Sequence, residues 1–178
     1  MNILETERLL LRPWKASDLK PFSRMNSNPK VMEYFPKTLS EEESTRFAEK
    51  IAKGISNNGW GLWAAERKAD GKFIGYVGLN RPDAELPFYP RVEVGWRLSE
   101  EYWGMGYATE AGLKALDFAN SSPDITEVVS FTAAINKRSE AVMKRLGMIK
   151  VQERFFHPNI PKNDRLCEHI LYKISVNR

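Results

Sequence analysis

Short apolar runs and longer amphipathic segments alternate along the chain. The run Leu9-Leu10-Leu11-Arg12 is stopped by Pro13, which has no N–H for a ladder, so it predicts a first strand. Asp70-Gly71 between two apolar runs predicts a β-hairpin. Together the short runs predict about seven strands, at residues 9–14, 62–67, 73–79, 92–98, 128–132, 148–155 and 167–174.

Helix signals fall between these runs. Ser17 or Asp18 is placed to cap a first helix. A capping box, with Ser40 at the N-cap and Glu43 three residues later, predicts a second helix that runs to about residue 56. Two more helices are expected, at residues 107–120 and 138–146.

This order of elements predicts one α/β (α+β) domain over residues 1–178, in which helices flank a mixed β-sheet. A chain of this length buries about 70% of the surface of its unfolded form, which suits a single core. No internal repeat divides it.

Composition and charge exclude several classes of function. No apolar run approaches the ~20 residues of a membrane helix, and early acidic residues exclude a signal peptide, so we expect no membrane contact and a cytoplasmic location. One cysteine and two histidines offer no spacing for a metal site. The net charge of +4 is mild and the Lys and Arg residues are scattered, so no direct nucleic-acid partner is predicted.

Gly104-Met105-Gly106 lies between a predicted strand and a predicted helix. A helix N-terminus exposes unpaired N–H groups at the positive end of its dipole, and glycines allow a phosphate to approach them. The same glycines equally suit a tight turn with no ligand. A dinucleotide-binding turn is excluded because Thr109 stands where the third glycine belongs, and a P-loop because its Gly-Lys-Ser/Thr triplet is absent.

Four blocks of residues carry a resemblance to a known family. They are Thr6-Glu7-Arg8-Leu9-Leu10-Leu11-Arg12, Glu93-Val94-Gly95-Trp96-Arg97-Leu98 with Tyr102-Trp103-Gly104-Met105-Gly106-Tyr107-Ala108-Thr109-Glu110-Ala111, Asn136-Lys137-Arg138-Ser139, and Leu146-Gly147-Met148. Together they resemble the GNAT acetyltransferase superfamily, specifically its RimJ/RimL-like branch, over residues 4–174. The resemblance implies an enzyme that transfers an acetyl group from acetyl-CoA to an amine.

The fold implied by the resemblance is a GNAT fold, in which strand 4, at residues 92–98, splays from strand 5, at residues 128–132, as a V. The pantetheine arm of acetyl-CoA would enter this V and bond to the main chain of strand 4. Gly95 would then mark a bulge that turns backbone groups toward the ligand, or else a close packing of a helix.

The cofactor residues implied by the resemblance lie in strand 4, in the glycine loop and at the start of the last helix. Asn136 also suits the N-cap of that helix. Glu101 stands where relatives have Gln or Arg, so we expect weaker or differently arranged phosphate binding. The full assignment for acetyl-CoA is Trp96, Arg97, Leu98, Trp103, Gly104, Met105, Gly106, Tyr107, Ala108, Thr109 and Asn136.

The catalytic residues implied by the resemblance are Glu93 and Ser139. Glu93 matches the family's general base, although a glutamate on a half-exposed strand is often only solvated. Met143 stands where relatives have a tyrosine acid, so Ser139 would protonate the departing sulfur, directly or through water, unless the thiolate leaves unaided. A backbone N–H near Trp96 or Arg97 would serve as the oxyanion hole.

The acceptor stays open between a protein N-terminal α-amine and a small-molecule amine, and the protein between a monomer and a homodimer. A CoA-thioester-binding module without turnover is the alternative function. We expect Cys167 and His169, two apart on one strand, to be packing residues. Aromatic residues that line either the acceptor pocket or the core are Tyr34, Phe35, Phe88, Tyr89, Phe155, Phe156 and, beside them, His157.

Overall fold

The computed structural model describes residues 2–176. Two 3₁₀ turns, Ala16–Asp18 and Glu100–Tyr102, supplement the regular elements. These elements are β1 (Leu4–Glu5), β2 (Leu9–Arg12), α1 (Leu19–Ser27), α2 (Glu41–Asn58), β3 (Leu62–Arg67), β4 (Lys72–Asn80), β5 (Val92–Leu98), α3 (Tyr107–Asn120), β6 (Glu127–Ala133), α4 (Lys137–Arg145), β7 (Ile149–Lys150), β8 (Phe155–Phe156) and β9 (Glu168–Ser175).

The strands form one mixed sheet in the order β1-β2-β3-β4-β5-β6-β9-β7, with β8 also pairing with β9. Every pair is antiparallel except β5 with β6, which is parallel. The β5–β6 register joins Val92 to Val128 and Glu93 to Val129, and β5 then continues to Leu98 away from β6. This separation confirms the V expected between the fourth and fifth predicted strands.

Helices cover both faces of the sheet. On one face, Tyr76 of β4 packs against Phe22 of α1 and Phe47 of α2, with ring centroids 6.0 and 6.1 Å away. On the other, Trp63 of β3 meets Phe118 of α3 at 5.4 Å. The small-residue face expected on α3 lies against the sheet without exposed surface, at Ala111, Ala115 and Ala119.

The helix signals act as expected, with one exception. Ser40 Oγ accepts from the Glu43 N–H at 3.1 Å and Glu43 Oε2 accepts from the Ser40 N–H at 2.8 Å, so the capping box of α2 is confirmed. Asp18 does not cap α1 with its side chain. Its carboxylate instead accepts from Arg12 Nη1 at 2.7 Å, because a buried guanidinium needs an anionic partner.

The predicted strand at residues 148–155 is wrong as a continuous element. It consists of β7 and β8, both paired with β9. From Lys150 to Phe155 the chain advances five positions while β9, from Tyr172 to His169, advances three, so the polar residues between them leave the sheet edge. With β1, this split raises the number of strands in the described residues from about seven to nine.

Candidate active site

A cleft of about 1190 Å³ opens where β5 and β6 separate. Its walls come from β4, β5 and β6, from α2 and the connection before it, and from the first turns of α3 and α4. It brings together nearly all of the predicted site residues, namely Glu93, Trp96, Arg97, Leu98, Trp103, Gly104, Gly106, Tyr107, Ala108, Thr109, Asn136 and Ser139.

Two glycines shape the loop before α3. Gly104, with φ 75°, and Gly106, with φ 82°, adopt left-handed backbone conformations that other residues avoid. Gly106 is the N-cap and has no side chain to accept from the first turn. The first amides of α3, those of Tyr107, Ala108 and Thr109, therefore keep their donors for a ligand.

Cationic side chains from α4 surround this loop. The Arg138 guanidinium lies 4.4 Å from the ring centroid of Trp103, and Arg145 Nε donates to Thr109 Oγ1 at 3.2 Å. Lys137 also lines the cleft. Open amides at the positive end of a helix, with cations beside them, fit the diphosphate of CoA.

Met105 is the predicted cofactor residue that does not line the cleft. Its residue surface is 47% exposed, and its carbonyl accepts from Arg8 Nη1 at 2.9 Å. Arg8 also pairs with Glu110 Oε2 at 2.6 Å and lies 4.6 Å from the Tyr107 ring centroid. Arg8 therefore fixes the outer side of the loop at Met105.

The open edge of β5 carries the main-chain groups of Trp96 and Leu98. The Ser99 N–H donates to the β4 carbonyl of Ile74 at 2.9 Å, which sets the edge that each residue of β5 faces. Because backbone groups alternate between the two edges of a strand, those of Trp96 and Leu98 face the cleft and those of Arg97 face β4. The expected contact between the Arg97 main chain and the cofactor does not agree with this geometry.

Gly95 faces the cleft without forming a bulge. The β4–β5 register is regular through Gly95, and the irregularity of this sheet region lies between Ala65 and Glu66 of β3. A Cβ on Gly95 would lie 3.6 Å from Glu93 Oε1. The expected bulge is therefore absent, and the backbone groups of β5 are free because the strand has left β6.

Glu93 is a half-buried carboxyl on the same cleft face. Burial raises its pKa to about 7, the hydrogen bond from Asn80 Nδ2, 3.3 Å from Glu93 Oε2, lowers the pKa in part, and the charge of Asp83 raises it. The alternative of a solvated surface glutamate does not describe this environment. Such a group accepts a proton near neutral pH.

The first turn of α4 contributes Asn136 and Ser139. Asn136 Oδ1 accepts from the Ser139 N–H at 3.2 Å and Asn136 Nδ2 donates to Thr132 Oγ1 at 3.0 Å, so its N-cap role is confirmed. Its contact with the cofactor stays a prediction. Ser139 is half-buried at the cleft, and nearby Met143 lines the cleft without an exchangeable proton.

Cys167 and His169 pack as ordinary buried residues. Cys167 is 2% exposed and its thiol lies 3.6 Å from the Ile160 carbonyl oxygen. Burial lowers the pKa of His169 to about 4, and its ring lies 5.1 Å from that of His157. This arrangement gives the thiol no charged activating partner.

The aromatic residues divide between cleft and core. Tyr34, Phe35 and His157 line the cleft, as does the ring of Phe47, which the sequence did not single out. The remaining aromatic residues lie elsewhere, Phe88 and Phe155 in a cluster with Phe131, and Tyr89 and Phe156 at the exposed surface.

Residues 8–149 match the model of a family described as Acetyltransferase (GNAT) domain. The chain belongs to the GNAT acetyltransferase family. It is an acyl-CoA-dependent acetyltransferase, as the sequence predicted, and acetyl-CoA is its acetyl donor.

Relatives of this GNAT acetyltransferase support the same assignment. It is 31% identical over 161 residues to the FsC-acetyl coenzyme A-N(2)-transacetylase of Aspergillus fumigatus, covering 86% of this chain and 67% of that protein. Its fold is similar to a GNAT-family acetyltransferase from Bacillus anthracis, with a TM-score of 0.80, 22% identity and 98% of each chain covered.

RimL, the ribosomal L7/L12 alpha-N-protein acetyltransferase solved in complex with coenzyme A, is another structural neighbour. Its TM-score is 0.79 at 16% identity, over 99% of each chain. The similarity concerns the fold, and it is consistent with the predicted RimJ/RimL-like branch.

Two further observations concern metals and membranes. Among residues 2–176, no group of three or more His, Cys, Asp or Glu side chains is arranged to hold a metal ion. No helix in the same part of the chain combines the length and the apolar character needed to cross a bilayer.

Sequence reasoning missed the polar residues that support the site. Asn26 of α1 and Ser44 of α2 are fully buried and hydrogen-bonded to each other at 3.1 Å. Both interrupt the apolar face of an amphipathic helix, four residues from buried Phe22 and Ala48 respectively. A polar position on the apolar face was the available signal.

Proposed function

We propose that this acetyltransferase is an N-acetyltransferase that passes the acetyl group of acetyl-CoA to a primary amine by direct attack, with both substrates bound. Glu93 supports the proposal most strongly. It is a carboxyl with a pKa raised to about 7, in the same cleft as the unpaired amides of α3.

A primary ammonium must lose a proton before its nitrogen attacks a thioester. In the proposal, a Glu93 carboxylate oxygen accepts this proton, directly or through one water. Protein α-amines have pKa values near 8 and alkylamines near 10, so a base with a pKa of about 7 suits an α-amine better.

The other cleft residues hold and orient the reactants. Acetyl-CoA, when bound, supplies the activated thioester. The amides at the start of α3 bind its diphosphate, and the Trp96 N–H donates to the carbonyl oxygen as charge develops there. The Ser139 hydroxyl gives a proton to the departing sulfur, directly or through water.

The acceptor is a protein N-terminal α-amine or a small-molecule amine. The name of RimL, an alpha-N-protein acetyltransferase, supports the first class. The name of the Aspergillus transacetylase includes an N(2) position, which supports a nitrogen atom as the acceptor. A cytoplasmic location and a monomeric or homodimeric state stay predictions.

Thiol release tests the proposal. The protein is incubated with acetyl-CoA and a panel of amines and N-terminal peptides, and free CoA thiol is measured against a blank without acceptor. We expect release above the blank with at least one acceptor, together with a product heavier by one acetyl group.

Glu93→Gln is the matched variant, since it keeps the shape of the side chain and removes the base. We expect it to lower kcat/KM by about 10²–10⁴-fold while leaving acetyl-CoA affinity unchanged. Binding of acetyl-CoA without release for any acceptor would instead support a module without turnover.

A further inference from the structure

Arg97 is a buried cation in the wall of the cleft. It is 8% exposed, and its guanidinium lies 4.0 Å from the ring centroid of Phe35, 5.5 Å from Tyr76 and 5.7 Å from Phe47. All three rings line the cleft. They hold the guanidinium in an aromatic box at the ligand-accessible side of β5.

No carboxylate of residues 2–176 lies within ion-pair distance of Arg97. Its Nη1 donates to the neutral amide of Asn26 at 2.7 Å, and its Nε is buried without an acceptor. Arg12, buried to a similar degree, instead binds Asp18 at 2.7 Å and Glu66 at 2.6 Å. The chain therefore neutralises one buried arginine and leaves the other without an anion.

The position of Arg97 is fixed by a buried hydrogen-bonded chain. Asn26 Oδ1 accepts from Arg97, and Asn26 Nδ2 donates to Ser44 Oγ at 3.1 Å. Neither Asn26 nor Ser44 has exposed surface. The Nη1 end of the guanidinium is thereby held by α1 and α2, whereas the N–H of Nε has no acceptor.

Burying a cation without an anion is costly, because the cation loses its hydration. Contacts with aromatic faces offset part of that cost, and a carbonyl oxygen supplies an acceptor but no charge. A carboxylate is the ligand group that best matches a guanidinium, because its two oxygens accept from two parallel donors. The site is therefore complete when an anionic ligand group enters.

We propose that Arg97 binds a carboxylate of the acceptor, so that the substrate is an amine that also carries a carboxylate. The inference rests on the proposed N-acetyltransferase activity. Glu93 and Arg97 point to the same face of β5, four residues and about 13 Å apart along the strand. Glu93 takes the amine end of the acceptor and Arg97 the carboxylate end.

The charges of the cleft favour the same class of ligand. Its lining holds more cations than carboxylates, and the cations near α4 are placed for the cofactor's phosphates. Phe35, which is 37% exposed, is the outer wall of the aromatic box. The charged lining residues are Lys50, Arg81, Asp83, Glu93, Arg97, Lys137, Arg138 and Arg145.

Matched acceptor pairs test the proposal. One series is ω-amino acids of increasing length and their primary amides, and the other is short peptides with a free N-terminus that differ by Glu or Gln near that end. For each pair kcat/KM is measured with saturating acetyl-CoA, and affinity by calorimetry with CoA present. We expect the carboxylate to be preferred by on the order of tenfold or more in one series, which also identifies its source.

Two variants separate recognition from structure. Arg97→Gln removes the cation, whereas Asn26→Asp keeps Arg97 and supplies a carboxylate from the chain itself. We expect both to reduce the preference for the carboxylate to about onefold. Asn26→Asp is nearly isosteric, so it keeps the test valid if Arg97→Gln fails to fold.

The outcomes distinguish this inference from the proposed activity. Equal acetylation of acids and amides by the unmodified protein, or a preference that survives both variants, overturns the role of Arg97 and leaves N-acetylation intact. Preferential binding of carboxylates without thiol release would overturn N-acetylation and retain the Arg97 site.

Discussion

Asn80 and Glu93 face each other across the β4–β5 pair, and Asn80 Nδ2 lies 3.3 Å from Glu93 Oε2. The amide donates to the ionised carboxylate and so opposes the rise in pKa that burial causes. Together the two effects place the pKa of Glu93 at about 7, so the carboxyl changes its charge just below the range in which α-amines, the proposed acceptors, deprotonate.

The pH dependence of kcat/KM follows from this pair. The base acts when ionised, so the rate constant rises with pH through about 7 and then levels. Asn80→Ala removes the hydrogen bond that lowers the pKa, so its midpoint moves to higher pH. The pH profiles of kcat/KM for the unmodified protein and Asn80→Ala, measured with one α-amine acceptor, check this. An unmoved midpoint would show that Glu93 is not the group whose ionisation controls the rate.

Ionisation of Glu93 should lower the stability of the fold over the same pH range in which it raises kcat/KM. The folded-state pKa of about 7 lies above the usual 4.5, so the folded protein binds this proton more tightly than the unfolded chain. This contribution to the free energy of unfolding is present below pH 4.5 and is lost as pH rises to about 7. Glu93→Gln should raise Tm at pH 8, by roughly a few degrees, and leave it unchanged at pH 4. Thermal unfolding at both pH values measures the difference.

The glycine loop allows a matched comparison of two substitutions. Gly104 and Gly71 have φ values of 75° and 67°, and a Cβ at either position meets nothing within 4 Å. Alanine at either site should cost about 1 kcal/mol of stability. Only Gly104→Ala places a methyl group at the proposed phosphate site. Only this variant should therefore weaken the binding of CoA, with a calorimetric Kd raised by about tenfold or more. Equal Kd values for both variants would contradict the phosphate site.

Glu101 precedes the loop as an exposed anion. Glu101→Gln removes its repulsion of the cofactor's phosphates, so the affinity for CoA should rise by about two- to fivefold at low salt, and the gain should shrink as salt screens the charge. Glu49→Gln, an exposed substitution on α2, is the control. A gain of the same size in the control would assign the effect to net charge.

Local signals predicted the parts of the fold that local physics determines. The capping box of Ser40 and Glu43 and the turn at Gly71 could both be predicted from short motifs. The resemblance added the V of the sheet and the cleft position of Glu93. Strand 148–155 was misjudged because its interruption depends on the register with β9, which is a long-range property.

The surroundings of the Arg97 side chain could not be predicted from the sequence, also because they depend on long-range contacts. The motif gave its position on β5, and the expectation concerned its main chain. Its side chain meets Asn26 and Phe35, which are 71 and more than 60 residues away along the chain, so no spacing pattern connects them. Burial without an anion appears only once the helices are placed on the sheet.

The parallel pair of β5 and β6 has a consequence for how the molecule is held together. Residues 4–98 supply one antiparallel half of the sheet and residues 127–175 the other, and two residue pairs connect them. A molecule that binds in the gap, as proposed for acetyl-CoA, would bridge both halves in place of the missing ladder. The acetyl donor would then be a removable interior element of the sheet, taken out and restored in each catalytic cycle.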